Sequence, residues 1–310
     1  MANERIIFLG TPELAAFCLK GMVKAGFNIV GVVTKEDKIR GRNNTVEESP
    51  VAKVAHELNL PLHKPHRLNK DFQFLVDLKP DLLLTFAYGQ LISDEILALG
   101  KFKPLNLHGS LLPKYRGAAP MQYALYNGDK ETGVSLMEMV HEMDAGDVYA
   151  VKKFPLDITD NYTSLTEKMG KCGLELAIEA LPKYFAGELT PIPQDTNKVT
   201  FTHMISKEQE HLDLMKTPEE FVNQVRSLSL TPGGYLLWNE QILKIYAAEI
   251  FSDKEEGEVG SIILAHKKQI ILQVNHGQVK LTLLQRPGKK MMSASDFNNG
   301  VHDFQGVILH

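Results

Sequence analysis

The first 185 residues alternate between short apolar runs and longer stretches with helical spacing. The runs at 5–9 (RIIFL), 28–34 (NIVGVVT) and 81–86 (DLLLTF) have the length and apolar character of strands buried on both faces. Between the first two runs, Thr11 is positioned as a helix N-cap and Gly26 as a helix stop, which makes a strand–helix–strand unit. The pattern predicts an α/β fold with a Rossmann-like open, mostly parallel sheet.

The last third of the chain has a different pattern, in which short strand-like runs follow one another without helices between them. Turns rich in Gly, Asn and Asp separate these runs, and a single helix is predicted before them, at 218–228. The runs lie at 235–238, 242–250, 260–265, 269–274 and 279–284. Many short strands of this kind predict a small oligonucleotide-binding-like β-barrel.

A change of composition separates the two parts. Residues 190–197 (TPIPQDTN) contain two prolines and have no apolar periodicity, which is typical of a linker. We therefore predict an α/β domain at 1–188, a linker at 189–204 and a barrel domain at 205–310.

Composition limits the type of protein. The chain of 310 residues is 44% hydrophobic and 23% charged, carries a net charge of −4, and has no apolar run long enough to span a membrane. The first residues do not have the pattern of a signal peptide, and the two cysteines, Cys18 and Cys172, lie far apart. We expect a cytoplasmic protein with reduced thiols and no zinc site. A pI near 6.3 argues against indiscriminate coating of nucleic acid but allows a local basic patch that binds one RNA.

Glycine placement excludes the common nucleotide cofactors. Gly10 stands alone after the first strand, so the G-x-G-x-x-G fingerprint of dinucleotide-binding domains is absent. The P-loop pattern is absent as well. We therefore expect neither a nicotinamide nor a flavin cofactor.

The most informative stretch is 104–120 (PLNLHGSLLPKYRGAAP). Its alternating start predicts a strand on which Asn106 and His108 share one face, about 6–7 Å apart, at the strand's carboxyl end. In open α/β sheets that edge is where ligands bind. An isolated His or Asn is more often structural, but here the two are paired, and the loop 143–147 (MDAGD) offers the carboxylate of Asp144 to the imidazole.

An amide, an imidazole and a carboxylate favour direct transfer of an activated acyl group to an amine. The amide N–H and a charged imidazole can hold a developing oxyanion, and the carboxylate can orient the ring and assist proton transfer. Ser110 is an alternative nucleophile, but it lacks the G-x-S-x-G elbow of serine hydrolases. We therefore expect catalysis without a covalent intermediate.

These motifs resemble those of the folate-dependent formyltransferase family. The similarity lies in NLHGS at 106–110, LLPKYRG at 111–117 and DAGD at 144–147, in that order and spacing. The segments IIFLGTPE, RGAAP and ETGVS, together with 287–294 (PGKKMMSA), extend it over the whole chain and are most similar to the branch that acts on methionyl-tRNA.

The resemblance implies specific roles for these residues. The formyl group of 10-formyltetrahydrofolate would pass to the α-amino group of methionyl initiator tRNA, with Asn106 and protonated His108 stabilising the oxyanion and Asp144 paired with His108. The expected folate contacts are Ser110, Leu112, Pro113, Lys114 and Tyr115, together with the segment 86–92.

The resemblance also implies how tRNA binds. Arg42, in the polar loop at 35–49, would approach the acceptor stem, and basic residues of the barrel would contact phosphates (Lys267, Lys268, Arg286, Lys289 and Lys290). We expect a monomer without a bound metal ion or membrane association. The alternatives are a sugar-nucleotide amine formyltransferase, which shares the three catalytic residues, and a non-catalytic RNA-binding protein on the same scaffold.

Overall fold

A computed structural model describes residues 3–40 and 45–310 and divides the chain into two compact units. The first contains the chain up to Pro120, Glu131–Pro155 and Thr166–Thr202. The second contains Met121–Lys130, Leu156–Leu165 and His203–His310. Short segments from the middle of the sequence therefore belong to the second unit.

The strands of the first unit form one large sheet and two short pairs. In chain order they are β1 (Ile6–Gly10), β2 (Ile29–Val33), β3 (Lys38–Arg40), β4 (Thr45–Glu47), β5 (Leu62–His63), β6 (Leu82–Phe86), β7 (Leu105–His108), β8 (Arg116–Gly117), β9 (Glu131–Glu138), β10 (Val148–Pro155) and β11 (Phe201–Thr202). The large sheet has the order β10-β9-β7-β6-β1-β2-β5, with β3 paired to β4 and β8 paired to β11.

The large sheet is parallel from β5 to β7 and antiparallel from β7 to β10. Every residue of β1 and β6 is buried, which explains why these strands appear in the sequence as continuous apolar runs. Strand β7 lies between β6 and β9, so Asn106 and His108 stand where the parallel part of the sheet meets the antiparallel part.

The helices of the described residues are short apart from three. They are α1 (Glu13–Lys24), α2 (Pro50–Glu57), α3 (Gln73–Asp77), α4 (Asp94–Leu97), α5 (Pro120–Tyr126), α6 (Tyr162–Phe185), α7 (Lys207–Glu210), α8 (Pro218–Leu228) and α9 (Ala294–Gly300).

Helices α1 and α2 begin in different ways. Helix α2 has a side-chain N-cap, because Ser49 Oγ accepts a hydrogen bond from the Ala52 N–H at 3.0 Å. The expected N-cap of α1 is wrong: the cap position is Pro12, and Thr11 Oγ1 instead donates to the Tyr88 carbonyl at 3.1 Å. Thr11 thus connects the turn after β1 to the turn after β6, at the carboxyl edge of the sheet.

The second unit is built around an antiparallel sheet. Its strands are β12 (Gly234–Trp238), β13 (Gln241–Ser252), β14 (Ile262–His266), β15 (Gln269–Val274), β16 (Gly277–Gln285) and β17 (Met292–Ser293). They have the order β12-β13-β16-β15-β14, with β17 paired to β16. Helix α8 begins with a capping box in which Thr217 and Glu220 bond reciprocally, and its Phe221 and Val225 enter the core of this unit.

The predicted fold class, a Rossmann-like open, mostly parallel sheet followed by an oligonucleotide-binding-like β-barrel domain, is confirmed as a parallel-dominated α/β unit and a second unit with an antiparallel sheet. Within the described ranges, every helix is too short or too polar to cross a membrane.

Candidate active site

The amide of Asn106 is oriented by the neighbouring strand. Asn106 lies opposite Thr85 in the β6–β7 register, and Thr85 Oγ1 donates to Asn106 Oδ1 at 2.7 Å. Thr85 is itself buried. Within the part of the chain that the structure describes, Asn106 Nδ2 has no hydrogen-bond partner, so this N–H₂ remains available as a donor to a ligand.

His108 is buried and held by one of its two ring nitrogens. Nε2 lies 2.9 Å from the Tyr115 carbonyl oxygen. Because a carbonyl oxygen can only accept, Nε2 carries the hydrogen of this bond. Nδ1 is 3.6 Å from Asp144 Oδ2, which is close enough for an ion pair but too long for a hydrogen bond. The ring is therefore fixed through Nε2, and Nδ1 is the nitrogen left for chemistry.

Asp144 reaches the imidazole because its loop folds back along the sheet. Strand β9 is antiparallel to β7, so Glu138 at its end lies opposite Leu105, at the start of β7. The loop 139–147 must then return along β7 to bring Asp144 to His108. Asp144 Oδ2 accepts a hydrogen bond from the Gly117 N–H at 2.8 Å, which fixes the carboxylate.

Gly117 is required by the geometry at this point. Its φ is +106°, and a Cβ atom here would clash with the carbonyl oxygen of Thr202. The glycine thus allows β8 and β11 to pair while its own N–H points at Asp144.

The loop between His108 and Gly117 contains the predicted folate residues. Ser110 is fully buried, and its hydroxyl donates to the Lys114 carbonyl at 2.6 Å. The hydroxyl therefore supports the loop and is not free to act as a nucleophile, while the folate contact of Ser110 stays a prediction. Lys114 lies over the ring of Tyr115, with Nζ 5.6 Å from the centroid. Leu112 and Pro113 are partly exposed.

A second part of the sheet edge contains a cavity of about 540 Å³. Gly89, Gln90 and Leu91 are part of its lining. The other lining residues are the basic Lys35, His66, Arg67 and Lys70, together with Leu68 and Asn69. Burial lowers the pKa of Lys35, and the charge of Lys38 lowers it further. The cavity adjoins the segment 86–92, for which folate contacts are predicted.

Tyr88, in the same segment, is buried, with 3% of its surface exposed. Its hydroxyl has no hydrogen-bond partner in the described residues, and burial raises its pKa. The predicted tRNA contact Arg42 lies outside the described residues.

Three residues of the site were not predicted from the sequence. Thr85 bonds the Asn106 amide, and Gln194 donates to the Asp144 carbonyl. Thr200 accepts from the N–H of Tyr115, whose carbonyl holds His108. Their positions depend on strand pairing and on the path of residues 192–202, neither of which has a local signal. Among the residues that support the site, Gly117 is the one that lies inside a motif singled out in the sequence, LLPKYRG at 111–117.

Comparison with known proteins identifies the family. A family model described as "Formyl transferase" matches residues 4–181, and one described as "Formyl transferase, C-terminal domain" matches residues 204–302. The methionyl-tRNA formyltransferase of Lactobacillus gasseri is 40% identical over 297 residues, which cover 95% of this chain and 95% of that protein. The chain belongs to the methionyl-tRNA formyltransferase family. The family member of Streptococcus sanguinis is likewise 40% identical, over 96% of both chains.

Solved structures share the fold of this family member at low sequence identity. An N-formyltransferase of Helicobacter canadensis superposes with a TM-score of 0.69 at 18% identity and covers 89% of this chain and 98% of that chain. HypX of Aquifex aeolicus, in complex with tetrahydrofolic acid, gives a TM-score of 0.65 at 19% identity, covering 96% of this chain and 47% of that one.

Proposed function

We propose that this protein transfers the formyl group of 10-formyltetrahydrofolate to the α-amino group of methionyl initiator tRNA. The observation that carries the chemistry is the His108–Asp144 pair, with Nδ1 3.6 Å from the carboxylate, on the strand that also carries Asn106. His108 Nδ1 and Asn106 Nδ2 both have hydrogen-bonding capacity left for a substrate. The relatives of this name match the chain over both units, which supports tRNA as the acceptor.

The three side chains divide the work of the transfer between them. The amine attacks the formyl carbon, the carbonyl oxygen becomes an oxyanion, and the bond to the folate nitrogen breaks as that nitrogen takes up a proton. Asn106 Nδ2 donates to the oxyanion, and His108, when protonated at Nδ1, donates a second hydrogen bond. Asp144 balances the charge of the imidazolium, receives the proton that the amine loses and passes it on to the leaving folate nitrogen.

The folate donor is supported by the shape and charge of the same sheet edge. The basic lining of the cavity beside Gly89–Leu91 suits the carboxylates of a folate, and Leu112 to Tyr115 lie on the loop that also holds His108. The related HypX binds tetrahydrofolic acid, and the sugar formyltransferase WlaRD was solved in the presence of 5-N-formyl-THF.

The tRNA would contact basic residues of the second unit. Lys267, Lys268, Lys289 and Lys290 are exposed, and the Arg286 guanidinium lies over the Trp238 ring at 5.9 Å. Phosphate contacts of this kind give affinity that falls as salt rises. Substituting Lys289 and Lys290 by Ala should therefore weaken tRNA binding and reduce its salt dependence, while the rate at saturating tRNA is retained.

The acceptor assay tests the proposed function directly. With 10-formyltetrahydrofolate as donor, we expect formylation of methionyl initiator tRNA and none of a nucleotide-linked amino sugar. Transfer only to the amino sugar would instead establish the alternative, a sugar-nucleotide amine formyltransferase.

Substitution of the three site residues tests the chemistry. Asn106→Ala, His108→Ala and Asp144→Ala should each lower kcat on the order of a hundredfold or more, because each removes a group that acts on the developing charge. His141→Ala is the matched control, since this histidine is exposed and pairs with Asp94 instead. Unchanged kcat in all three variants would contradict the roles assigned to these residues. An unmodified protein that binds tRNA but transfers no formyl group, with binding unchanged in the three variants, would favour the non-catalytic RNA-binding protein.

A further inference from the structure

Residues 192–202, which lie inside the predicted linker, pack along both loops of the candidate site. Ile192 exchanges two backbone hydrogen bonds with Val148, each of 2.9 Å. The Thr200 carbonyl accepts from the Arg116 N–H at 2.9 Å, and β11 then pairs with β8. This segment belongs to the first unit. Its backbone bonds the strand that follows the Asp144 loop and the short strand that follows the His108 loop.

The side-chain amide of Gln194 makes three hydrogen bonds to these loops, which use both of its N–H donors and one of its two acceptor lone pairs. Nε2 donates to the carbonyl oxygens of Asp144 and Gly146, each at 2.8 Å. Oε1 accepts from Arg116 Nε at 3.0 Å. One side chain therefore joins the loop that carries Asp144 to the loop that follows His108.

The bond to the Asp144 carbonyl matters because the backbone of Asp144 is in an uncommon conformation. Its φ is +51°, in the left-handed region, which costs a non-glycine residue free energy and persists only where the surroundings hold it. The two carbonyls that Gln194 bonds lie on either side of Ala145, so its amide closes this turn from outside. The Asp144 side chain then leaves the turn toward His108 Nδ1.

Thr200 acts in the same way on the imidazole. Its Oγ1 accepts the Tyr115 N–H at 2.9 Å, and the Tyr115 carbonyl is the group that holds His108 Nε2. Tyr115 is also left-handed, with φ of +64°. The same short segment thus supports the backbone behind both members of the His108–Asp144 pair.

We propose that Gln194 is a positioning residue for the transfer reaction, whose amide holds the Asp144 turn so that the carboxylate stays at the imidazole of His108. This proposal rests on the proposed function, since it assigns Gln194 a role at that same site. Gln194 touches no substrate in this scheme and acts through Asp144. The proposal therefore predicts a loss of kcat with little change in KM for the formyl donor or for tRNA.

Gln194→Met is the first variant, because methionine matches the length of glutamine but offers no N–H donor. We expect kcat to fall about 10-fold to 100-fold, the effect of a small displacement of a catalytic group. Asp195→Ala is the matched control: the Asp195 side chain is exposed, and its partners among the described residues are Asn197 and Lys198 in the same segment. Its kcat should equal that of the unmodified protein. A Gln194→Met protein with unchanged kcat, or with only KM altered, would contradict the proposal.

A double-mutant cycle with Asp144→Asn separates positioning from general support. If Gln194 acts through the Asp144 carboxylate, Gln194→Met should lower single-turnover rates by less than about twofold when Asp144→Asn is already present. A purely structural role predicts that the two losses multiply. Multiplication of the losses would therefore overturn the proposal.

Gln194→Glu provides an independent test if the Met variant folds poorly. The substituting carboxylate keeps its acceptor for Arg116 but faces two carbonyl oxygens without a donor. The rate of this variant relative to the unmodified protein should rise as pH falls, because the protonated carboxylic acid has an O–H that can donate to one of the two carbonyl oxygens. A ratio independent of pH would contradict the proposal. If the unmodified protein formylates no methionyl-tRNA, the proposed function fails, whereas an active protein with an indifferent Gln194 refutes only this inference.

Discussion

At the scale of single residues, the site depends on which atoms are already bonded. Asn106 Oδ1 and His108 Nε2 are engaged by Thr85 and by the Tyr115 carbonyl, and this leaves Nδ2 and Nδ1 for a substrate. The orientation of each catalytic side chain is thus fixed by a partner that performs no chemistry. Removing such a partner should lower the rate while the catalytic residue itself remains.

Thr85→Val tests this at Asn106. Valine keeps the shape of threonine but loses the hydroxyl that holds Oδ1, so the amide can rotate and its donor is no longer fixed. We expect kcat to fall about fivefold, since the lost hydrogen bond is worth about 1 kcal/mol and one factor of ten corresponds to about 1.4 kcal/mol. Thr34→Val is the control: Thr34 is also buried and directly follows β2, but its hydroxyl shares a hydrogen bond with the Ser49 hydroxyl. Its variant should lose stability and keep kcat, and an equal loss of kcat in both variants would show that the effect is not specific to Asn106.

The two thiols provide a prediction about pH. Cys18 is fully buried and Cys172 is 6% exposed; burial raises the pKa of both, that of Cys172 to about 11. A raised pKa leaves less reactive thiolate at neutral or mildly alkaline pH than an ordinary cysteine has. A thiol-reactive dye at pH 8 should therefore label the native protein slowly and both cysteines rapidly in denaturant. Rapid stoichiometric labelling of the native protein would contradict the burial of these groups.

At the scale of elements, the sequence predicts strands and helices well but not their pairing. The apolar runs at β1 and β6 and the alternation at β7 have strong local signals, and the strand bearing Asn106 and His108 is found at Leu105–His108, as predicted. The sequence also places Asp144 in a loop after the next strand. It does not show that β9 runs antiparallel to β7, which is why that loop must fold back to reach the imidazole.

Contacts that join distant segments are the part that the sequence could not predict. Thr85 faces Asn106 only through the register of two strands, and Gln194 and Thr200 reach the site from a stretch whose prolines and polar residues indicate a linker. Periodicity reports which face of an element is buried, but it does not report which other element buries it. The supporting residues therefore become visible only in the folded chain.

Gly117→Ala tests the β8–β11 pair as an element. The φ of +106° and the Thr202 carbonyl both oppose a Cβ atom, so we expect a loss of about 1–3 kcal/mol in the free energy of unfolding. Relief of the clash would also move the N–H that holds Asp144, and kcat should fall about tenfold or more. Gly187→Ala is the matched control, because Gly187 has φ of +73° but open space around it. It should lose stability alone; equal kcat in the two variants would argue against a role for Gly117 in holding Asp144.

At the scale of the whole molecule, the folding units do not follow the sequence boundaries at every point. The predicted boundaries at 188 and 205 fall near the change of composition, and they remain a prediction about independent domains. In the structure, Met121–Lys130 and Leu156–Leu165 group with the second unit. A buried arginine of α8 explains part of this grouping, because Arg226 Nη1 donates to the Asp157 carbonyl at 2.9 Å and Nε donates to Asn223 Oδ1 at 2.8 Å.

Arg226 therefore allows a test of what the second unit needs in order to fold. The side chain is 8% exposed, and burial disfavours its charged form and therefore lowers its pKa. The hydrogen bonds of the guanidinium offset this cost. In the full chain, Arg226→Met should lower the free energy of unfolding of this unit by about 2 kcal/mol, the value of hydrogen bonds from a charged group.

The fragment His203–His310 lacks Asp157 and Asp160, whose carbonyls accept from Arg226 in the full chain. In this fragment the guanidinium is partly unpaired, so Arg226→Met should cost the fragment little stability or even stabilise it.

Trp238 is the only tryptophan and packs on Phe304 in the core of the second unit, so its fluorescence in denaturant reports the unfolding of this unit in both proteins. Lys254→Met, at an exposed lysine, is the control and should change neither midpoint. An equal cost of Arg226→Met in the fragment and in the full chain would mean that residues 156–165 contribute nothing to the second unit, and the boundary predicted from the sequence would then also be the boundary of folding.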